Sequence, residues 1–151
     1  MGGWIDYNND LSKFSKMIAA VGNYAHQQGY FGVIGFDVLE NQEGQLYAID
    51  ANFRINGSTP LCLQRYQLLK CNKAIAKYSS DYRMEGTFDS ILTALKPNLE
   101  RKDFLLLSAL EKVKYGKIYT EIYGIVAGET LEEMHQIEYE LRGKGLHIAG
   151  W

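Results

Sequence analysis

An α+β chain is the fold class that the sequence predicts, and three observations predict it. Apolar residues recur at three- and four-residue steps from Asp10 to about Gly29. Two short runs then alternate around the turn Asn41-Gln42-Glu43-Gly44. After residue 100, two apolar runs precede a helix that opens on Thr130-Leu131-Glu132-Glu133. Helical and extended patterns are thus interleaved throughout the 151 residues, enough chain for one compact domain or two small ones.

Taken in order, the first helix has Leu11, Phe14, Met17/Ile18, Val21 and Ala25 on one face, Asp10 as N-cap and Gly29 as its stop. Phe31 to Leu39 reads as a strand through Val33, Ile34, Phe36 and Val38, and Gln45 to Phe53 as its hairpin partner. Asn56-Gly57-Ser58 is a loop. Thr59 as N-cap and Pro60 at the first helical position start a helix reaching about Leu69 or Asn72. Ala74 to Arg83 fits neither period clearly, and Phe88 to Leu95 is short and mixed. Phe104 to Leu110 and Ile118 to Ala127 are expected to be buried strands joined by a turn at Gly116. The capping box at Thr130 starts a helix with Leu131, Met134, Ile137 and Leu141 on its apolar face, and Leu146-His147-Ile148 is a last strand. The change of character after residue 72 suggests a boundary, with residues 1–73 and 74–151 as the two parts.

Charge and composition exclude several classes. The net charge is −2 with acids and bases interspersed, so no basic stripe offers a nucleic-acid surface. No apolar run approaches the roughly 20 residues of a membrane span, and Met1-Gly2-Gly3-Trp4 does not begin a secretion signal. Cys62 and Cys71 stand nine apart and are expected to be reduced thiols, Cys62 as a buried core residue, in a cytoplasmic protein.

The hairpin carries more polar groups than a structural hairpin needs. Val33, Gly35, Asp37 and Leu39 share a face of the first strand; Leu46, Ala48, Asp50 and Asn52 share a face of the second. A two- or four-residue turn would pair Asp37 with Ala48 and Gly35 with Asp50. The two carboxylates are then diagonal neighbours about 5–8 Å apart, whereas an odd loop would split them between faces. Two carboxylates and the Asn52 amide are hard oxygen donors suited to Mg²⁺ with water and phosphate oxygens, and poorly suited to zinc. Arg54 beside them can hold a phosphoryl group. The Asn56-Gly57-Ser58 loop is expected to present backbone N–H groups to an anion at a helix start. Singly, each residue has a plainer role: Asp37 on a strand edge, Asp50 paired with Arg54, Asn52 and Asn56 in turns. The ordered set is harder to explain that way.

In that order the residues resemble the ATP-grasp ligases: Gly29-Tyr30-Phe31-Gly32 leading to Gly35-Phe36-Asp37, then Gly44 to Arg54 with Asp50-Ala51-Asn52-Phe53-Arg54, then Asn56-Gly57-Ser58. The acid spacing is similar to that of the D-alanine–D-alanine ligase-like members, and the arginine to that of biotin carboxylase and carbamoyl phosphate synthetase. The resemblance covers residues 10–72. It implies that residues 1–73 are the C-terminal half of an ATP-grasp domain (helix, antiparallel hairpin, helix), followed by a small α+β subdomain. It implies Asp37, Asp50 and Asn52 as ligands of Mg²⁺ (or Mn²⁺) on ATP, Arg54 as the catalytic arginine at the γ-phosphoryl group, and Asn56, Gly57 and Ser58 as holders of the carboxylate substrate or its phosphate. The reaction implied is activation of a carboxylate as an acyl phosphate, followed by attack of an amine. Two departures stand out. Asp50 occupies a position where the family usually has glutamate, which bears on whether one or two metals are held. The family's adenine hinge, phosphate-contacting lysines and glycine loop lie upstream of this pattern, where Lys13 and Lys16 sit on a helix face expected to be solvated. The expectation is a C-terminal piece that needs an N-terminal half and turns over no ATP alone, with a homodimer as a further arrangement. The competing expectation is a non-catalytic binding or oligomerisation module derived from the same fold. The tyrosine-rich strand bearing Tyr115, Tyr119 and Tyr123 reads as core packing or interface.

Overall fold

The computed structural model describes residues 2–148. The chain divides into two bodies, residues 9–59 and residues 1–8 with 60–151. Among the described residues no helix is long and apolar enough to cross a membrane.

The smaller body contains a 3-10 turn (Ser12–Phe14), helix α1 (Ser15–Gln27) and the antiparallel strands β2 (Gly35–Glu40) and β3 (Leu46–Asn52); strand β1 (Gly2–Asp6) belongs to the other body. Asp10 does not cap the α-helix: it lies before the 3-10 turn, whose N-cap position is Leu11, and its carboxylate accepts from the Ser12 N–H and hydroxyl at 2.8 Å each. The helix ends where expected, with Gly29 at φ 79° donating to the His26 carbonyl. The first strand starts four residues later than the sequence suggested. Tyr30 takes over that stretch, donating its hydroxyl to the Val33 carbonyl at 2.7 Å and meeting the Phe53 ring edge-on at 5.1 Å, while Phe31 is 97% exposed. Lys13 is not simply solvated: its ammonium lies 2.6 Å from Glu40 and so ties the helical turn to the end of β2.

The larger body is an antiparallel sheet in the order β1 (Gly2–Asp6), β4 (Ile75–Glu85), β6 (Lys117–Gly128), β5 (Phe104–Lys114), with β7 (His147–Ile148) also on β4. Three helices accompany it: α2 (Thr59–Lys70), α3 (Phe88–Arg101) and α4 (Leu131–Gly143). From β4 onward the order is β-α-β-β-α-β. Strands β4 and β5 flank β6, and β6 and β7 flank β4, which is the split βαβ topology of ferredoxin-like folds. One sheet face gathers Ile75, Tyr82, Met84, Phe104, Ile122 and Val126 against Ile91 and Leu95 of α3 and Met134, Ile137 and Leu141 of α4. The other gathers Ala76, Tyr78, Ile125 and Ala127 against Leu61 and Leu68 of α2 and against Tyr7. The Tyr7 hydroxyl donates to the Leu61 carbonyl at 2.6 Å, and burial pushes its pKa up to about 12, helped by Cys62 and opposed by Arg65. So α2 and Tyr7 pack on the sheet of the larger body.

Two expectations about side chains are corrected here. Cys62 is exposed, because the buried stripe of α2 runs through Leu61 and Leu68. Leu131 is about half exposed in the first turn of α4, ahead of the buried Met134-Ile137-Leu141 stripe. The tyrosines divide: Tyr123 packs edge-on against Tyr78 at 5.7 Å, while Tyr115 is 91% exposed in the β5–β6 turn.

Candidate functional site

The site is built on the β2–β3 hairpin, and its register differs from the sequence-based one. Asn41 pairs with Gln45, leaving Gln42, Glu43 and Gly44 as a three-residue loop. Asn41 Oδ1 accepts from the Glu43 and Gln45 N–H groups, and Gly44 takes φ 78°. This odd loop sets Val38 opposite Ala48, and a regular ladder continued from it would send Asp37 and Asp50 to opposite faces. A register shift between Asp37 and Val38 prevents that. Ile49 is an extra residue in β3, and beyond it Asp37 stands opposite Asp50 and Gly35 opposite Asn52. The carboxylates therefore share a face, directly opposed rather than diagonal, and Asp37 faces Asp50 instead of Ala48. The odd loop and the bulge each shift the register by one residue, and the two shifts cancel.

Asp50, Asn52 and Arg54 form one hydrogen-bonded row. Asn52 Nδ2 donates to Asp50 Oδ2 at 3.2 Å, and Arg54 donates to Asn52 Oδ1 at 3.1 Å and to the Ile55 carbonyl at 3.2 Å. Arg54 is thus held to the site through Asn52. Asp37, Asp50 and Arg54 are exposed, and Asn52 is half-buried. Like charges directly opposed across strands are destabilising. At about 5 Å in water the repulsion is of order 0.8 kcal/mol, and a bound cation would reverse it.

The loop that follows is capped from within. Asn56 Oδ1 accepts from the Ser58 N–H (3.1 Å), the Ser58 hydroxyl (2.9 Å), the Thr59 N–H (3.1 Å) and the Thr59 hydroxyl (3.0 Å), and the Asn56 N–H donates to Thr59 Oγ1 at 3.0 Å. Asn56, rather than Thr59, therefore caps the start of α2, and the N–H groups of Ser58 and Thr59 are engaged rather than offered to an anion. The other end of this amide points back to the hairpin. A Cβ built on Gly35 would lie 1.8 Å from Asn56 Nδ2, so the amide nitrogen occupies the space a side chain at position 35 would take. Gly35 is on the face of Asp37, and Asn56 Nδ2 thus extends that face as a donor. The role of Gly35 as the seat of Asn56 is missing from the sequence-based site; the available signal was an isolated glycine inside an apolar strand, which marks close approach of another group.

Among the described residues no three or more His, Cys, Asp or Glu side chains cluster as a ready metal cage. The donor set on the hairpin has two carboxylates and one amide oxygen, and that oxygen already accepts from Arg54. Hard donors of this number fit a magnesium-type ion that keeps most of its shell as water or phosphate oxygens.

No protein-family model matches the chain.

Proposed function

We propose that the hairpin face of Asp37, Asp50, Asn52, Arg54 and Asn56 is the metal- and phosphate-holding half of an ATP-grasp-type carboxylate–amine ligase site. One observation carries the reading: the Ile49 bulge sets two like charges directly opposite each other, an arrangement that favours a cation and disfavours an empty face. Asp37 and Asp50 would hold Mg²⁺ or Mn²⁺ with Asn52 Oδ1 as a third donor. The metal, when bound, neutralises charge on the nucleotide phosphates. Arg54, fixed by its bond to Asn52, would orient a phosphoryl oxygen. Asn56 would contribute its Nδ2 donor, and Ser58 helps hold Asn56 rather than offering its own N–H. With so few protein donors, metal and nucleotide would bind together, and the groups that hold adenine would come from polypeptide other than these residues, in a cytoplasmic enzyme.

The test is paramagnetic broadening by Mn²⁺ in the presence of ADP or ATP. Broadening centred on Asp37 and Asp50 that is lost in Asp37→Asn supports the reading; broadening that ignores the substitution, or none at all, ends it. The chain alone is expected to release no more ADP from MgATP and amino acids than its Asp37→Ala variant.

Exposed Leu39 and Tyr47, directly opposite each other beyond the acids, favour a second reading of this face as an assembly surface without catalysis. Self-association that Tyr47→Ser abolishes, with no Mn²⁺ effect, would select it.

A further inference from the structure

A second constellation lies in the larger body, far along the chain from the hairpin. A cavity of about 400 Å³, open to solvent, is lined by Lys77 of β4, Arg142 of α4 and His147 and Ile148 of β7. Three nitrogen-bearing side chains from three separate elements converge on one space, and the topology explains how. Strand β7 returns from α4 to pair with β4, setting His147 opposite Arg83 and Ile148 opposite Tyr82. Glu138 and Arg142 stand four apart on α4 and so share a helix face.

The charges in this corner do not cancel. Lys77 Nζ lies 2.7 Å from Glu138 Oε1, and only 11% of the Glu138 side chain is exposed. That contact commits the Glu138 carboxylate to Lys77. Arg142 lines the cavity with no ion pair among the described residues. A narrow cleft shares Arg142 and Ile148 with the cavity and is lined by Tyr82 and Glu138. The Tyr82 hydroxyl is buried and has no hydrogen-bond partner among the described residues; burial raises its pKa, with Glu138 adding to the rise and Arg142 opposing it. Buried polar atoms are normally satisfied, so an orphan hydroxyl beside an unpaired guanidinium marks a place where a partner is missing. Counted as donors and acceptors, Lys77, Arg142, His147 and Tyr82 supply many donors, and the single carboxylate is already committed to Lys77.

We propose that this corner of β4, α4 and β7 binds a small oxyanion, a carboxylate or a phosphate group, with Arg142 as its principal ligand, Lys77 and His147 beside it and Ile148 as the apolar wall. The planar fork of Arg142 suits either oxyanion. The site is independent of the hairpin and stands whether or not the hairpin holds a metal.

The experiment is an amide and side-chain NMR titration of the full chain with inorganic phosphate and, separately, with acetate, each against sodium chloride at equal ionic strength. Saturable shifts confined to Lys77, Tyr82, Arg142, His147 and Ile148 are expected with at least one probe, and which probe produces them assigns the group. Arg142→Gln should weaken that binding at least tenfold, and Tyr82→Phe, which keeps the ring, by less. Lys96→Gln, a highly exposed lysine elsewhere on the body, should leave it unchanged. Arg142 is exposed, so its substitution leaves the core intact. No saturable shift with either probe, or equal weakening by Arg142→Gln and Lys96→Gln, would overturn the assignment.

Discussion

Residues 9–59 and the larger body are built on opposite plans. The larger body buries apolar side chains on both faces of its sheet, from Phe104, Ile122 and Leu141 on one side to Leu68 and Ile125 on the other. In residues 9–59 Ala25 is the one fully buried apolar side chain, while Phe31, Ile49 and Ile55 are largely exposed. The polar features reverse the contrast. The smaller body spends its order on a register, a bulge and an asparagine cap that place five polar side chains, and has little core beneath them. A region organised in that way is defined by what it holds more than by what it buries.

The largest expected effect breaks the comparison at its core. Leu141→Ala removes a side chain that is 1% exposed and should destabilise the larger body by about 2–5 kcal/mol. Ile49→Ala, at a residue 62% exposed, should change stability by less than about 0.5 kcal/mol. Urea unfolding reads the first, and amide hydrogen exchange across residues 9–59 reads the second. Comparable losses at the two positions would mean that Ile49 is covered in solution.

Legibility in the sequence follows the same division. Local patterns gave the first helix, both hairpin strands, α2, the cap of α4 and the strands β5 and β6, because each carries an unbroken period or a capping residue. What stayed unread was set by non-local packing. In β4 two residues, Ser80 and Asp81, are fitted opposite Tyr123, and the shift interrupts the alternation that would have marked the strand. That same shift keeps Ile75, Tyr82 and Met84 on one core face. Helix α3 is capped by Thr87 but carries Pro97 inside it, which disguises a buried stripe of Ile91, Leu95 and Asn98. Strand β1 exists only because β4 accepts it, through a short stretch with two glycines. The candidate site residues could be found by type and spacing, yet their register could not, since it depends on how an odd loop and the Ile49 bulge combine.

Asn56 tests how far the smaller body is ordered by polar contacts. Asn56→Ala leaves the Ser58 N–H without its side-chain acceptor and the Thr59 N–H with only the backbone carbonyl of residue 56, and loss of a helix cap costs about 0.5–2 kcal/mol. Gly35→Ala reaches the same amide from the other side, since its Cβ has no room beside Asn56 Nδ2. Both should raise exchange at Ser58 and Thr59, and through the weakened start of α2 they should lower the urea midpoint of the larger body by less than Leu141→Ala does. A smaller effect of opposite sign is expected from Asp37→Asn. Removing one of two facing carboxylates should stabilise the metal-free hairpin by about 0.2–1 kcal/mol while weakening Mn²⁺ binding. A substitution that stabilises the fold and impairs binding separates a functional pair of acids from an incidental one.

The smallest effect belongs to the larger body alone and is read by acid. Glu140 is held below the ordinary glutamate value of 4.5 by its bond to Lys144 and, after that, by Arg101; Glu133 is held low first by Lys73. Both pKa values are depressed by folding, so the native state takes up these protons less readily than the unfolded chain. Their contribution is complete well above pH 4.5 and is lost as the pH falls through that value and the lower native one. Both side chains are about 40% exposed, so solvent screens much of the gain. Glu140→Gln should therefore lower the urea midpoint slightly at pH 7 and bring it closer to wild type as the pH falls to 3. A Glu140→Gln difference that grows toward low pH would mean that the carboxyl is stabilised in its protonated form, contrary to its contacts with Lys144 and Arg101.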